Sequence, residues 1–275
     1  MGAVETFDHG RFSWLELVTL NQQEAKAFYT SVFGWESVDL SSPSGAYTLL
    51  RQGNSDIAGL YEMTEEQREH NLQPHWLTFV SVSDVDEATK WADEGGAVVV
   101  NPPTDVGAND RVSIVQDPVG AVIGLRQAGG EGGADVVDAP ASFCWSEHVT
   151  TRRSEVEEFY SGLLECQIRQ ADDESSQRSF LRNEGTGLLA STSEPQSEDV
   201  APHWHVYFGV NDIGDTVALV EETRGVVLDD PFYDEGIGHV ARIADPQGAV
   251  FSILQIEQDE EEEDPDQKYQ PAMER

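Results

Sequence analysis

The strongest constraint on this fold is a long internal repeat. Phe12-Ser-Trp-Leu-Glu16 recurs as Phe143-Cys-Trp-Ser-Glu147, and the pair Phe28-Tyr29 recurs as Phe159-Tyr160 at the same offset. Pro74-His-Trp76 returns as Pro202-His-Trp204, and Asp117-Pro-Val-Gly-Ala-Val122 as Asp245-Pro-Gln-Gly-Ala-Val250, at an offset shortened by a small deletion. Four signatures kept in one order over domain-length stretches mark a duplicated domain rather than a short-period solenoid. The 275 residues accommodate two domains of ordinary size, each expected to have its own core. The expected division is module one at 8–127, a linker at 128–139, module two at 140–256 and a disordered acidic tail at 257–275. The linker is rich in Gly and Asp and lacks hydrophobic periodicity. The like-charge run from Asp259 to Asp266 opposes compaction.

Within module one, Phe12 to Val18 has strand character, and Asn21 with Glu24 three residues later reads as a helix start. Ala25, Phe28, Tyr29, Val32 and Phe33 form one apolar stripe at helical spacing, closed by Gly34. Val156, Phe159, Tyr160, Leu163 and Leu164 repeat it. A second strand, Trp76 to Val82, leads to a helix from Asp84 to Glu94 with Val85, Ala88, Trp91 and Ala92 inward and Gly95-Gly96 as its stop. Short strands at 97–100, 112–116 and 122–125 complete the half, with a turn at Asp117-Pro-Val-Gly120. Each module is therefore a pair of strand-helix-strands units with few helices beside a mostly antiparallel sheet, an α+β fold.

Charge decides which partners are excluded. Against 52 acidic side chains stand 16 basic ones, a formal charge of −36 that opposes binding to nucleic acid or an anionic membrane surface. Only nine of the 52 acids lie in 257–275, so the folded body carries the excess. Lysine is confined to Lys26, Lys90 and Lys268, and such a surface is compatible with a compact state when molar salt screens it. The expectation is a halophilic source. No apolar run reaches bilayer length and Met1 to Gly10 has no leader pattern, so a cytoplasmic protein is expected. Cys144 and Cys166 are too few for a disulfide framework or a thiolate zinc site and read as small core residues.

These residues resemble the vicinal oxygen chelate superfamily, which includes glyoxalase I, bleomycin-resistance proteins, fosfomycin-resistance enzymes and extradiol dioxygenases. The marks are the strand followed by a helix ending in Phe-Tyr, then Val82-Ser-Asp-Val-Asp86, then Asp117-Pro-Val-Gly-Ala121. The Trp-x-Glu and Pro-His-Trp variants look closest to a two-module subgroup containing a mycobacterial antigen and actinomycete hydroxylase-like proteins. The resemblance implies that each module is a pair of βαβββ units whose mixed sheet curls around a cleft, where active members bind a divalent metal from the first, fifth and eighth strands. Those positions fall at Trp14, Leu77 and Gly124 in module one and at Trp145, His205 and Ser252 in module two. His205 alone is a ligand type, so the family's usual metal centre is expected to be missing.

Strand alternation sends Leu15 and Leu17 to the helix-packed core and leaves Phe12, Trp14 and Glu16 on the cleft face. In module two it sends Trp204, Val206 and Phe208 to the core and His203, His205 and Tyr207 to the cleft. Glu16 and Glu147, each beside an aromatic, are candidate catalytic bases, with a structural hydrogen bond or salt bridge as the alternative. Phe12, Trp14, Phe143 and Trp145 are candidates to stack on a planar ligand, or simply to pack. His75, His203 and Tyr207 complete the candidate ligand-binding set, His75 and His203 sharing the Pro-His-Trp signature.

The leading expectation is a protein that sequesters or senses a small, partly aromatic or dicarbonyl metabolite without the usual metal. A second reading is a metal-dependent lyase or dioxygenase, lactoylglutathione-lyase-like or hydroxylase-like, in which Glu147, His203 and His205 hold Fe, Mn, Ni or Zn. A third is a purely structural or interaction protein. Paired modules within one chain allow a monomer; a dimer is the alternative.

Overall fold

The computed structural model describes residues 7–256 except 43–44, 108–109, 130–132, 172–177, 186, 196, 198 and 235–236. The expected acidic tail therefore lies outside the described residues, as does part of the expected linker. Module one runs β1 (Phe12–Thr19), α1 (Gln22–Phe33), β2 (Glu36–Ser42), β3 (Gly45–Gln52), β4 (Ser55–Glu62), α2 (Glu65–Glu69), β5 (His75–Ser81), α3 (Val85–Glu94), β6 (Val98–Val106), β7 (Asp110–Gln116) and β8 (Val122–Gln127). Module two runs β9 (Phe143–Val149), α4 (Arg153–Leu163), β10 (Gln167–Gln170), β11 (Ser179–Asn183), β12 (Gly187–Ser193), β13 (His203–Val210), α5 (Ile213–Glu222), β14 (Val226–Asp234), β15 (Gly238–Ala244) and β16 (Val250–Gln255).

Each module forms one eight-stranded sheet, ordered β2-β3-β4-β1-β5-β8-β7-β6 and β10-β11-β12-β9-β13-β16-β15-β14. The identical order is what the sequence repeat requires. In each sheet two βαβββ units meet at an antiparallel seam, β1 with β5 and β9 with β13, flanked by parallel pairs. The helix starts follow the sequence signals. Asn21 accepts hydrogen bonds from the amides of Gln23 and Glu24, and Gly34 closes α1 with a left-handed φ of 71°. Asp84 and Asp212 cap α3 and α5 in the same way, accepting from the amides of Glu87 and Asp215.

The cores depart from the expectation of one per module. One cluster joins Val85, Ala88 and Ala92 of α3 to Val156, Phe159, Tyr160 and Leu163 of α4; the other joins Phe28, Tyr29 and Val32 of α1 to Phe208, Val220 and Phe251 of module two. Each core is built from half of both modules, because each sheet buries its helix-bearing face against the other sheet's helices. Trp91, expected inward, is 40% exposed. It instead lies over α4, 5.5 Å from the Phe159 ring, where a Cβ on Gly162 would come within 2.3 Å of Trp91 Cζ2.

The repeated signatures converge on this interface. Trp204 Nε1 donates to Tyr160 Oη (2.9 Å), which donates to Asp117 Oδ2 (3.0 Å) in the other module. The mirror chain runs from Trp76 Nε1 to Tyr29 Oη (3.1 Å) and on to Asp245 Oδ2 (3.2 Å). Meanwhile Asp117 Oδ1 accepts from the amides of Val119, Gly120 and Ala121, tying its turn together. The Tyr of Phe-Tyr, the Trp of Pro-His-Trp and the Asp of Asp-Pro-x-Gly thus recur because they form one buried cross-module network, used twice. The copies differ at one place. His148 Nε2 donates to Asp117 Oδ2 at 2.7 Å, with both side chains fully buried, whereas the repeat counterpart of His148 is Leu17.

Candidate functional site

On the face of each sheet away from the helices, the seam strands present the predicted side chains in register. Glu16 pairs with Leu77 and Gly59, and Trp14 with Phe79; Glu147 pairs with His205 and Ser191, and Trp145 with Tyr207. The curl of the second sheet is closed by Arg178, just before β11, which holds Asp234 at the end of β14 on the far edge of the sheet order. Its guanidinium donates from Nη1 to Oδ1 and from Nη2 to Oδ2 (3.0 Å).

Both cups contain the same hydrogen-bond chain, made from different parts. In cup two Trp145 Nε1 donates to Ser191 Oγ (3.0 Å), which donates to Glu147 Oε1 (3.0 Å). In cup one Trp14 Nε1 approaches Tyr47 Oη at 3.2 Å, and that phenol donates to Glu16 Oε1 at 2.8 Å. Gly59 replaces the serine: a Cβ there would sit 1.9 Å from Tyr47 Oη, so glycine is the condition for the phenol to enter.

The carboxylates are nevertheless in different states of engagement. Glu147 also accepts from Arg178 Nε (3.0 Å) and from Tyr207 Oη (2.9 Å). In cup one the residue equivalent to Tyr207 is Phe79, which has no hydroxyl, and the residue equivalent to Arg178 is Tyr47, which has no charge. Burial raises the Glu16 pKa, and the hydrogen bonds from Tyr47 and Trp14 only partly oppose it. Burial and the neighbouring Glu147 carboxylate push the Tyr207 phenol well above its usual range.

The histidines have structural partners. His75 and His203 each place Nδ1 on the carbonyl two residues back, Gln73 O at 2.8 Å and Ala201 O at 2.9 Å. Burial lowers both pKa values. His205 Nε2 hydrogen bonds with Ser252 Oγ at 2.8 Å, and burial, followed by His203 and Arg242, pushes its pKa down to about 3. Glu147, His203 and His205 do not converge as a ligand set, and the described residues contain no cluster of three or more His, Cys, Asp or Glu suited to a metal ion. In cup one the glutamate position is Gly124, where a Cβ would lie 2.1 Å from Phe79 Cδ1, so the ring fills that space. Of the six family positions His205 alone is a histidine or carboxylate, and its Nε2 is engaged by Ser252.

Phe12 does not join Trp14 on the cleft face. A β-bulge between Phe12 and Trp14 breaks the alternation, and Phe12 turns into the core, 5.1 Å from the Trp204 ring and 6.2 Å from Phe143. Phe12, Phe143 and Trp145 nonetheless share the lining of a cavity of about 170 Å³ at the seam between the modules, with Phe7, Arg11, Asp138, Cys144 and Leu188 around it. Burial raises the Cys144 thiol, followed by the effect of Asp138, and pushes Cys166 up to about 11, so neither is activated as a nucleophile.

Sequence reasoning missed Tyr47, Gly59, Arg178 and Ser191. Tyr47 and Arg178 are separated by the same offset as Glu16 and Glu147. The offset would have found them, but a search for identical repeats passes over positions where the residue type has changed.

Comparison with known proteins follows the same outline. A family model described as Glyoxalase/Bleomycin resistance protein/Dioxygenase superfamily matches residues 11–125. Over 250 residues the chain is 32% identical to "Putative glyoxylase CFP32" of Mycobacterium tuberculosis, covering 90% of this chain and 95% of that one. It is 28% identical over 268 residues to "Anthracycline biosynthesis protein DnrV" of Streptomyces peucetius, covering 91% and 94%. In fold it is similar to the Mn(II)-bound glyoxalase from Novosphingobium aromaticivorans (TM-score 0.65, 12% identity, 90% and 82% covered). It is also similar to homoprotocatechuate 2,3-dioxygenase from Brevibacterium fuscum (TM-score 0.63, 15% identity, 94% and 82% covered).

Proposed function

Since the chain belongs to the glyoxalase, bleomycin-resistance and dioxygenase superfamily, we propose that it binds a small, partly aromatic or dicarbonyl metabolite and does so without the superfamily's usual metal. The carrying observation is the seam cavity of about 170 Å³ walled by Phe12, Phe143 and Trp145. That volume is comparable to a cavity that admits a single benzene ring, so a larger planar molecule extends from it toward solvent. The likeness to a protein named for anthracycline biosynthesis fits an aromatic ligand. Trp14, Leu77 and Gly124, with Trp145 and Ser252, supply no metal donors, and His205 is occupied by Ser252.

Tryptophan fluorescence titration of the full chain with 2-naphthol and acenaphthenequinone tests the reading. A Kd of about 10–100 μM is expected for ligands of this size, weakened about tenfold by Trp145→Ala through loss of ring contact. Absence of saturable binding rejects it. Elemental analysis of protein purified without chelator tests the metal-free part. Stoichiometric Fe, Mn, Ni or Zn, lost in His205→Ala, would instead favour a metal-dependent lyase or dioxygenase.

The same proposal covers the setting. Acid excess over the folded body, two free cysteines and the lack of any helix long and apolar enough to cross a membrane among the described residues fit a salt-rich, reducing cytoplasm. Two cups and two shared cores are complete within one chain, so a monomer suffices. The melting temperature is expected to rise steadily as KCl increases toward molar concentration, because screening relieves self-repulsion. A flat or falling curve by differential scanning fluorimetry removes the halophilic assignment.

A further inference from the structure

The structural repeat reaches further back along the chain than Phe12. Gly10 N donates to Ser81 O (2.8 Å), Ser81 N to Arg11 O (2.7 Å) and Arg11 N to Asp8 O (3.1 Å); in the second copy Ala141 N donates to Gly209 O (2.8 Å), Gly209 N to Ser142 O (2.9 Å) and Ser142 N to Ala139 O (3.1 Å). Gly10 and Ala141 both have a left-handed φ, 84° and 58°. Residues 8–11 and 139–142 are thus one repeated unit, at the offset that relates Phe12 to Phe143. Just before 139 the chain is seated on module one. Ala134 N donates to Ser13 O and Asp135 N to Asp56 O, both at 2.8 Å, and Val137 bridges Phe143. Ala134, 3% exposed, and Val137 fill the space against Phe12, Trp14 and Phe143, leaving no room for a water molecule. Gly133 starts this stretch with a φ of 120°, and a Cβ there would lie 2.8 Å from Ser13 O, so the position requires glycine.

The equivalent seat on module two is the cavity of about 170 Å³, whose walls Phe143, Cys144 and Trp145 are the repeat counterparts of Phe12, Ser13 and Trp14. The counterparts of 133–137 are residues 2–6, which precede the described chain, and Gly133-Ala134 recurs there as Gly2-Ala3. The next contact has changed on both sides together. Asp135 Oδ2 accepts from Asp56 N (2.7 Å) on module one. The register places Asp56 opposite Arg51 and Leu188 opposite Arg182, so the counterparts of Asp135 and Asp56 are Val4 and Leu188. A polar pair has become an apolar pair, and Leu188 stands 50% exposed on the cavity wall. We propose that residues Gly2 to Thr6 seat in this cavity as Gly133 to Val137 seat on module one, and that they compete there with the small-molecule ligand. The competition rests on the reading above, whereas the seat does not. Ala3 N then donates to Cys144 O, Val4 N donates to Leu188 O, and the Val4 side chain covers Leu188. A ligand enters only when the segment has left, so its apparent Kd is the intrinsic value divided by the fraction of chains with the cavity open. A segment seated about nine times in ten weakens binding about tenfold.

Two measurements on the full chain test this. Amide hydrogen exchange followed by nitrogen-15 NMR is expected to show the Ala3 and Val4 N–H groups slowed about 100-fold or more against the free-peptide rate, as for hydrogen-bonded backbone that opens only locally. Ala3→Glu, which places a charge where the counterpart Ala134 is buried, is expected to release the Val4 amide to the free rate. Fluorescence titration with 2-naphthol is expected to give a Kd about tenfold tighter in Ala3→Glu, and in a chain lacking residues 2–6, than in wild type. Ala3 and Val4 amides that exchange at the free-peptide rate in wild type overturn the seat and leave the binding function standing. Protected amides with a Kd unchanged in both variants overturn the competition. Saturable binding by none of the three forms rejects the small-molecule reading, and protected amides then still uphold the seat.

Discussion

Asp117→Ala is expected to destabilise the chain by about 3–5 kcal/mol, since it removes the shared acceptor of two buried donors at about 1–3 kcal/mol each. His148 and Asp117 are both fully buried, and the imidazole Nδ1 already lacks a partner, so the substitution leaves the ring with neither nitrogen satisfied and Tyr160 without its acceptor. For a chain of this size the melting temperature should fall by about 6–20 °C. Asp245→Ala is the internal control and should cost about 1–3 kcal/mol, the range for an orphaned buried hydroxyl, because Leu17 stands where His148 would be.

The pH dependence separates the two aspartates further. Burial would raise the Asp117 pKa, but the hydrogen bond and charge of His148, with the amides of Ala121 and Gly120, outweigh it and hold the carboxyl below its ordinary value of 3.8. A depressed carboxyl contributes stability that is complete above the unfolded value and is lost as pH falls through the folded one. At Asp245 burial wins over the amides of Gln247 and Ala249 and the Tyr29 hydroxyl, so its contribution improves as pH falls. Denaturant melts should therefore show the Asp117→Ala deficit shrinking below about pH 4, in the range where an unperturbed aspartate takes up its proton. A deficit equal to that of Asp245→Ala at pH 7 would show that the imidazole adds nothing.

Arg178→Ala is the second large effect. It leaves Glu147, 6% exposed, and Asp234, 20% exposed, without the guanidinium that holds both. About 3 kcal/mol is expected, the lower end of the range for breaking a buried ion pair, since Asp234 keeps some contact with water. The loss should appear as a lower midpoint in urea melts at pH 7. Arg178→Tyr, which copies cup one, should be milder because a phenol can again donate to Glu147. Equal stability of Arg178→Ala and wild type would show that the clasp across the sheet contributes nothing.

Much of this architecture was legible in the chain itself. Asn21 and Gly34 bound α1 because a side-chain acceptor and a left-handed turn are local requirements. The face assignments of Leu15, Leu17, Trp204, Val206 and Phe208 followed from alternation, and all five are buried in the shared cores. Alternation failed at Phe12 because a bulge adds a residue to one strand, and no residue type at Ser13 announces it. Trp91 failed for a different reason. Helical spacing says which face is apolar but not which helix will cover it, and α4 comes from the other module.

The sequence by itself determined the duplication, the α+β class, the excess of negative charge and the two carboxylates at equivalent positions, because each depends on residue identity and local periodicity. Only the tertiary structure decided that the cores are shared between modules, that the repeated Trp, Tyr and Asp residues are one buried network, and that Glu16 and Glu147 differ in their partners. Those outcomes turn on which side chains meet across the sheets. Tyr47 and Arg178 lie far along the chain from the glutamates they reach, and only the pairing of strands through Gly59 and Ser191 brings them together.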